Sequence, residues 1–349
     1  MNGTIPTCWV IDHPAHFQFF APFIRCGHEA DILILSSRPE VQMMFRTREG
    51  RLPHRPHLWV DRPVGVDIGR FRRLILARKR VQSVRKFLRK YPLVNRIVVK
   101  GASLEIIAAK KEKRMERIYI SDTESNHIAH RLALRGATSI ILPDSWRKGV
   151  ATRIVSDHRV KFYPGILPDL YIDMEEGISI RNQAIAQLRE SIQGMTNDGS
   201  AAPIVFHRRI TGGGIHDDDE IIDYQDWIRN LPVHFIHTKE SAIEATDAVW
   251  DMPMQIAMFD GVLTGSTTTA AEAVIHGMPT FLISKAERGF LDELETRRPD
   301  LLFRWRSKSS DELDEMISGW IKAMDEVRRP VKIQTDIVAF FEKELGPIA

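Results

Sequence analysis

The chain has 349 residues, of which 43% are hydrophobic and 27% charged, the proportions of a soluble globular protein with room for two domains. A net charge of +3 and only two cysteines argue against a disulfide scaffold and favour a reducing compartment. Residues 1–15 do not have the pattern of a signal peptide, and no apolar run approaches the length of a transmembrane helix. We therefore expect a cytoplasmic protein.

The first half of the chain alternates predicted strands and helices. Apolar runs predict strands at Ile5–Asp12, Ala30–Ser36, His57–Asp61, 95–99, Arg117–Asp122 and Thr138–Leu142. Helices are predicted between them, at 16–26, Arg38–Thr47, 68–90, 102–113 and Thr123–Leu134. This alternation favours a doubly wound parallel sheet.

Lys161–Tyr171, with two prolines and a glycine, predicts the crossing into a second domain. A second alternation follows it. Strands are predicted at Pro203–His207, Val233–His237, 261–264 and 279–283. Helices are predicted at 178–193, 219–230, 267–276, 286–296, 310–326 and 332–345.

The segment from Gly265 to Pro279 has the pattern of a nucleotide site. A glycine turn leads into a helix that begins near Thr267, and the start of a helix attracts anions through its free amides and its dipole. Ser266, Thr267 and Thr268 add hydroxyl groups there, and Glu272 follows Thr268 by about one turn on the same face. This spacing suits a phosphate at the helix start and a sugar hydroxyl at Glu272. A capped helix with a solvated glutamate is the alternative.

This segment resembles the nucleotide-binding segment of GT-B glycosyltransferases, such as the bacterial peptidoglycan N-acetylglucosaminyltransferase. In that family a Ser/Gly/Thr turn leads into a helix whose glutamate holds the ribose diol. A closer resemblance is to a prokaryotic family of unknown function, numbered 354, which shares the two-domain fold. Three further stretches carry that resemblance: Trp9–Ser37, Ile120–Pro143 and Lys161–Tyr171.

Two polar stretches follow the first strand of the second domain. Arg208 or Arg209, directly after that strand, is a candidate to neutralise a diphosphate, and the glycines around Gly213 allow a close approach of the backbone to a ligand. A plain flexible loop is the alternative. The acidic run 216–220 is more typical of a solvated helix start than of a metal site, and we predict no metal.

Three candidate catalytic residues lie at carboxyl ends of strands in the first domain. His16 begins the first helix and could take a proton from an acceptor hydroxyl. It matches a histidine that ends a glycine-rich loop in the transferase, but the glycines are absent here. Asp122 and Glu124 follow a later strand and are candidate acids, bases or hydroxyl ligands. The alternative for His16 is a helix-capping or buried structural histidine. The alternatives for Asp122 and Glu124 are a helix N-cap and a first-turn glutamate favoured by the helix dipole.

Residues 70–117 contain seventeen Lys or Arg against three acidic residues. A solvated helix surface explains this bias, and so does an anionic partner such as a membrane face, a lipid phosphate or an acidic glycan. The segment has only three aromatic residues among its seventeen cations and no known binding motif, and we expect no nucleic acid partner. Peripheral contact with the inner face of a membrane through 70–117 stays open.

The sequence thus predicts an α/β protein with two Rossmann-like doubly wound domains in a GT-B arrangement with an interdomain cleft. Residues 1–165 form the acceptor domain and 166–330 the nucleotide-sugar domain, and a helix in 331–349 packs back on the first domain. The expected function is metal-independent, cofactor-free transfer of a sugar from a nucleotide-diphosphate donor to an acceptor that the sequence does not identify. An anionic lipid or glycan is one candidate acceptor.

Two rival functions remain. One is a non-hydrolysing nucleotide-sugar 2-epimerase. Such epimerases have a Ser-Gly-Gly turn with paired acids, where this chain has Gly-Ser-Thr-Thr-Thr and the single Glu272. The other rival is a nucleotide-binding protein of the same fold without catalytic activity.

Overall fold

The computed structural model describes residues 4–61, 69–193, 202–209, 228, 230–239, 248–306, 310–326 and 336–348. The chain forms two compact units. The first unit comprises Met1–Tyr171, Arg288–Phe290 and Gln334–Ala349, and the second comprises Ile172–Glu287 and Leu291–Ile333. None of the described helices is both long and apolar enough to cross a membrane.

The first unit is built on a parallel sheet. Its described strands are β1 (Thr7–Ile11), β2 (Ile32–Ser36), β3 (His57–Val60), β4 (Arg96–Lys100), β5 (Glu116–Ile120), β6 (Ser139–Pro143) and β7 (Val160–Tyr163). They lie in the order β3-β2-β1-β4-β5-β6-β7, and every pair is parallel. Strands β1 and β2 are buried along their whole length, which explains why their sequences are almost entirely apolar. The order in which successive strands are added to the sheet reverses between β1 and β4. Parallel sheets bind ligands at such a point, outside the carboxyl ends of the strands.

Helices connect these strands. They are α1 (Pro14–Arg25), α2 (Pro39–Arg46), α3 (Arg70–Lys90), α4 (Leu104–Ala109), α5 (His127–Gly136) and α6 (Thr152–Val155). Helix α1 begins at a proline after His13, whose ring accepts a hydrogen bond from the amide of Ala15. Its side chains Phe17, Phe20 and Ile24 are fully buried, as their helical spacing predicts.

The second unit contains a smaller parallel sheet. Its described strands are β8 (Ile204–Arg209), β9 (His234–Lys239), β10 (Gly261–Thr264), β11 (Thr280–Ile283) and β12 (Leu302–Trp305), in the order β12-β11-β10-β8-β9. Its described helices are α7 (Met174–Gln193), α8 (Ala248–Gln255), α9 (Thr267–Ile275), α10 (Gly289–Arg297), whose first residues belong to the first unit, and α11 (Ser310–Met324). The order of this sheet reverses between β8 and β10.

The last helix, α12 (Asp336–Leu345), belongs to the first unit. The ring of Phe341 is fully buried there, with its centroid 5.3 Å from that of Phe19 in α1. Nη1 of Arg96 in β4 donates a hydrogen bond to the carbonyl of Leu345 at 2.6 Å. Helix α12 therefore contributes directly to the core and to the polar anchoring of the first unit.

Several predicted element boundaries were wrong. Residues 160–163, placed at or beside the interdomain crossing, form strand β7, and the predictions contained neither β12 nor α8. Helix α5 begins at His127 rather than Thr123, so that Asp122 and Glu124 lie in the connection before it. The expected helix at 219–230 lies outside the described residues except at its end.

Candidate functional site

Arg208 lies beside the start of α9, at the point where the second sheet reverses its strand order. Its Nη1 atom donates a hydrogen bond to Oγ1 of Thr269 at 3.1 Å and lies 3.3 Å from Sδ of Met252. The backbone carbonyl of Arg208 accepts a hydrogen bond from Oγ1 of Thr264 at 3.3 Å. The carboxyl end of β8 is therefore joined to the carboxyl end of β10, and the guanidinium of Arg208 lies at the beginning of α9. Both features attract an anion.

The predicted helix of this segment is confirmed. Helix α9 begins at Thr267 after Ser266, whose side-chain oxygen accepts a hydrogen bond from the amide of Thr269. It ends before Gly277, which has the positive φ of 76° that a glycine stop requires. Helix geometry leaves the amides of Thr267 and Thr268 without acceptors inside the helix, so that they are the donors available to a ligand.

The predicted nucleotide residues differ in their exposure. Gly265, Ser266, Thr267 and Thr268 are half-buried, and they form the accessible part of this strand edge. Glu272 is only 3% exposed and lies one turn further into the helix. The alternative of a solvated glutamate at this position is therefore wrong, because the side chain is buried.

Two predicted features of the second unit lie outside the described residues: Gly213 with its glycine loop, and the acidic run 216–220. Within the residues that are described, no group of three or more His, Cys, Asp or Glu side chains is arranged to hold a metal ion. The prediction of a metal-independent site stays a prediction.

A close histidine pair lies next to Arg208, and sequence analysis did not predict it. His207 in β8 and His237 in β9 bring their Nδ1 atoms to 2.8 Å from each other. At that distance one of the two nitrogens carries the shared proton. His207 is 4% exposed whereas His237 is exposed, so that the pair connects the interior to solvent at the carboxyl edge of the sheet.

In the first unit, a buried ion network lies where the strand order reverses. Arg80 of α3 donates from Nε to Oε1 of Glu105 at 2.5 Å and from Nη2 to Oδ1 of Asp12 at 3.1 Å. The side chains of Arg80 and Glu105 are 5% and 1% exposed. The two carboxylates raise the pKa of Arg80 even though its burial acts in the opposite direction. This network fixes Asp12, which follows β1.

His16 is held by the residue that the ion network fixes. Its Nδ1 atom accepts a hydrogen bond from the amide of Asp12 at 3.1 Å, and the residue is 9% exposed. Because a backbone amide can only donate, the lone pair of the neutral ring lies on Nδ1 and the proton on Nε2. In this conformation the ring offers a hydrogen-bond donor at Nε2, and its basic nitrogen is engaged with the backbone.

Asp122 forms an ion pair that the sequence did not indicate. Its Oδ2 atom lies 2.9 Å from Nζ of Lys100, the last residue of β4. Burial acts to raise the pKa of this carboxyl, but the charge and hydrogen bond of Lys100, together with the charge of Arg288, outweigh it and lower the pKa. Asp122 therefore stays ionised at neutral pH, which suits charge stabilisation or the binding of hydroxyl groups.

Glu124 has a different environment from Asp122. Its Oε1 atom accepts hydrogen bonds from the amides of Gly289 at 2.8 Å and Arg147 at 3.3 Å. Its Oε2 atom is buried and has no hydrogen-bond partner among the described residues. Burial raises the pKa of the Glu124 carboxyl in spite of these amides and Arg288. Two carboxyls two residues apart thus have pKa values shifted in opposite directions. In such an arrangement one carboxyl can act as an acid while the other stays charged.

Arg288 connects these two carboxyls. Its positive charge acts to lower the pKa of both Asp122 and Glu124, although burial outweighs it at Glu124. Its Nη1 atom donates to Oγ of Ser125 at 3.2 Å. The structure therefore brings Asp122 and Glu124 together with Lys100 and Arg288 in the first unit. Sequence analysis missed the two cations because each is distant from Asp122 along the chain, and a lone Lys or Arg at a strand or helix end gives no distinctive signal.

The fold resembles those of solved structures that include a UDP-GlcNAc 2-epimerase, a protein bound to UDP and a UDP-glucosyltransferase. It is similar to the UDP-GlcNAc 2-epimerase from Neisseria meningitidis bound to UDP-GlcNAc, with a TM-score of 0.63 at 10% identity over 97% of this chain and 99% of that chain. The S. aureus MnaA–UDP structure matches with a TM-score of 0.59 at 10% identity, over 94% and 92% of the two chains. A UDP-glucosyltransferase from Polygonum tinctorium matches with a TM-score of 0.51 at 12% identity, over 93% and 94%.

No protein-family model matches the chain, and no curated protein matches it in sequence. The resemblance to family 354 therefore stays a prediction. At identities of 10–12%, the structural similarities establish the fold alone. The predicted fold class is confirmed: the chain has two Rossmann-like units built on parallel sheets, as in GT-B proteins.

Proposed function

We propose that this protein is an enzyme acting on a nucleoside diphosphate sugar, whose diphosphate binds in the second unit at the start of α9. The observation that carries the proposal is the hydrogen bond from Arg208 to Thr269, which holds a guanidinium beside the first turn of the helix. The site lies where the strand order of the sheet reverses, the usual position of nucleotides in such sheets. The structural similarity to proteins bound to UDP-GlcNAc or UDP gives further support.

Calorimetry with UDP and UDP-GlcNAc tests this site. We expect Arg208→Gln to weaken binding roughly 10- to 150-fold, the equivalent of a lost charge-assisted hydrogen bond of about 1.5–3 kcal/mol. The matched control is Arg297→Gln, which removes the same group from α10, where Arg297 pairs with Glu293 one turn away. Equal affinities in the wild type, Arg208→Gln and Arg297→Gln would disprove the site.

We further propose that Glu272 binds the ribose hydroxyls. Glu272→Gln retains the volume of this buried side chain and removes only its charge, so that a change in affinity cannot be attributed to a cavity. We expect the variant to bind UDP at least about tenfold more weakly while its melting temperature without ligand stays near that of the wild type. Unchanged affinity would remove Glu272 from the site.

The reaction we propose is transfer of the sugar to an acceptor, with His16 in proton transfer, Asp122 as a charged partner and Glu124 as a candidate acid. For His16 to act as the general base, the hydrogen bond between its Nδ1 atom and the Asp12 amide must open. His16→Ala should lower turnover by about 10²–10⁴-fold and remove the limb of the pH profile near the pKa of histidine.

The His16→Asn variant separates catalysis from structure, because its amide oxygen can still accept from the Asp12 amide. If His16 is catalytic, His16→Asn should be as inactive as His16→Ala while melting close to the wild type. Recovery of activity in His16→Asn would assign His16 a structural role. Asp122 and Glu124 would then be the next candidates.

A second candidate function is epimerisation at C2 of the sugar, supported by the similarity to the UDP-GlcNAc 2-epimerase from Neisseria meningitidis at a TM-score of 0.63. The two reactions differ in their need for an acceptor and in the fate of the C2 proton. An epimerase incubated with UDP-GlcNAc in D₂O introduces deuterium at C2 without any acceptor, whereas a transferase leaves C2 unlabelled and releases UDP when an acceptor is present. A binding protein without catalytic activity binds the nucleotide and produces neither result.

A further inference from the structure

The beginning of helix α3 exposes an apolar surface. Phe71, Leu74 and Ile75 are 77%, 67% and 40% exposed, and their spacing of three and four residues places them on one face of the helix. Further along α3, by contrast, Val84 and Leu88 are 0% and 2% exposed and pack into the core of the first unit. The helix is thus anchored by its later turns and presents large apolar side chains in its first turns.

The charge of α3 has a single sign. Ten of its 21 residues are Lys or Arg, and none is Asp or Glu. In the same turns as the apolar face, Arg72, Arg78 and Lys79 are exposed. An exposed apolar face surrounded by exposed positive charge is the combination that binds the interface of an anionic lipid bilayer, where apolar groups enter the acyl boundary and cations meet the headgroups.

We propose that residues 70–79 of α3, the α3 head, dock the protein on a membrane surface that contains anionic phospholipid. Phe71 and Leu74 enter the boundary between headgroups and acyl chains, and Arg72, Arg78 and Lys79 contact the headgroup phosphates. A second copy of this chain does not fit as the occupant, because a symmetric contact through the α3 head would bring its arginines against each other. A nucleic acid would satisfy the cations but leave Phe71 and Leu74 in water.

Co-sedimentation of the full chain with vesicles tests the proposal. Binding to vesicles of phosphatidylcholine and phosphatidylserine should be strong at low salt and fall as salt screens the charges, and binding to phosphatidylcholine alone should be weak. The Phe71→Ala/Leu74→Ala double variant should lose at least about tenfold in partition to the anionic vesicles. Leu93→Ala is the matched control, since Leu93 has the same 67% exposure as Leu74 but follows the end of α3.

A second pair of variants tests the position of the charge. Arg72→Gln/Lys79→Gln should lower partition by about fivefold for each charge removed. Lys111→Gln/Lys113→Gln removes the same net charge from exposed positions outside the α3 head and should have a smaller effect. All of these side chains are exposed, so the variants should keep the melting temperature of the wild type.

Two outcomes would overturn the proposal. If Phe71→Ala/Leu74→Ala binds anionic vesicles as tightly as the wild type, the apolar face does not enter the bilayer. If a soluble polyanion such as heparin binds the protein and displaces it completely from vesicles, with the double variant behaving as the wild type throughout, the α3 head binds polyanions through charge alone. Neither outcome affects the nucleotide site of the second unit, which calorimetry measures separately.

Discussion

His130 should make the first unit sensitive to acid. This residue of α5 is 3% exposed, and its Nδ1 atom has no hydrogen-bond partner among the described residues. Its Nε2 atom lies 3.5 Å from Oγ of Ser121. Burial, with a smaller contribution from the nearby His127, lowers the pKa of His130 from 6.5 to about 4. The variant His130→Gln removes the titrating group and keeps a polar side chain of similar size.

The pKa of His130 sets the sign and size of the effect. The unfolded chain takes up the proton near pH 6.5, but the folded protein resists it until about pH 4. The contribution of the neutral His130 ring to the free energy of unfolding is therefore complete above pH 6.5. It is lost as the pH falls from 6.5 to about 4. The 2.5 pKa units between 6.5 and 4 correspond to about 3 kcal/mol in the free energy of unfolding.

Denaturant unfolding of the full chain between about pH 7 and pH 4 measures this contribution. Over that range the wild type should lose about 3 kcal/mol more than His130→Gln does. His158→Gln is the control, because the side chain of His158 is 89% exposed and its removal should leave the pH dependence of the wild type intact. If the wild type and His130→Gln lose stability in parallel as the pH falls, the buried neutral imidazole contributes nothing and the reasoning fails.

Two further variants test the contacts around the candidate carboxyls. Gly289→Ala places a Cβ 1.8 Å from the carbonyl oxygen of Ser145, so it should break the bond to Glu124 and destabilise the protein by more than about 3 kcal/mol in urea. Gly69→Ala, whose Cβ meets nothing within 4 Å, should change stability very little. Arg80→Met leaves buried Glu105 without its cation and should cost about 3–5 kcal/mol. Adding Glu105→Leu should restore much of that loss, and no restoration would show that burial of the carboxylate is not the cause.

The sequence predicts the architecture well because its central strands are buried on both faces. Runs such as those of β1, β2 and β6 consist almost entirely of apolar residues, and their alternation with helices specifies a parallel sheet. One edge strand of each sheet, β7 and β12, escaped prediction, whereas the edge strands β3 and β9 were predicted. β7 has exposed residues and contains a lysine, and β12 contains Arg304, which is buried through its ion pair with Asp292. Short edge strands with charged residues lack the pattern on which the prediction depends.

The candidate sites were predictable only where their residues are close in sequence. The start of α9 could be identified because Ser266, its helix and the glycine stop form one continuous pattern. The environment of Glu124 could not, since its partner Gly289 is 165 residues away along the chain. The opposite pKa shifts of Asp122 and Glu124 likewise depend on burial and on cations that only the folded chain brings near.

The position of α12 has a consequence for the order in which the protein is made. The ring of Phe341 packs against Phe19, Phe23 and Tyr163, so the core of the first unit is incomplete until residue 341 has left the ribosome. By then the whole second unit has been synthesised. During translation the first unit must wait with aromatic surface uncovered while the second, which needs no later segment, is free to fold. A nascent chain stalled before α12 should therefore protect the second unit from protease earlier than the first.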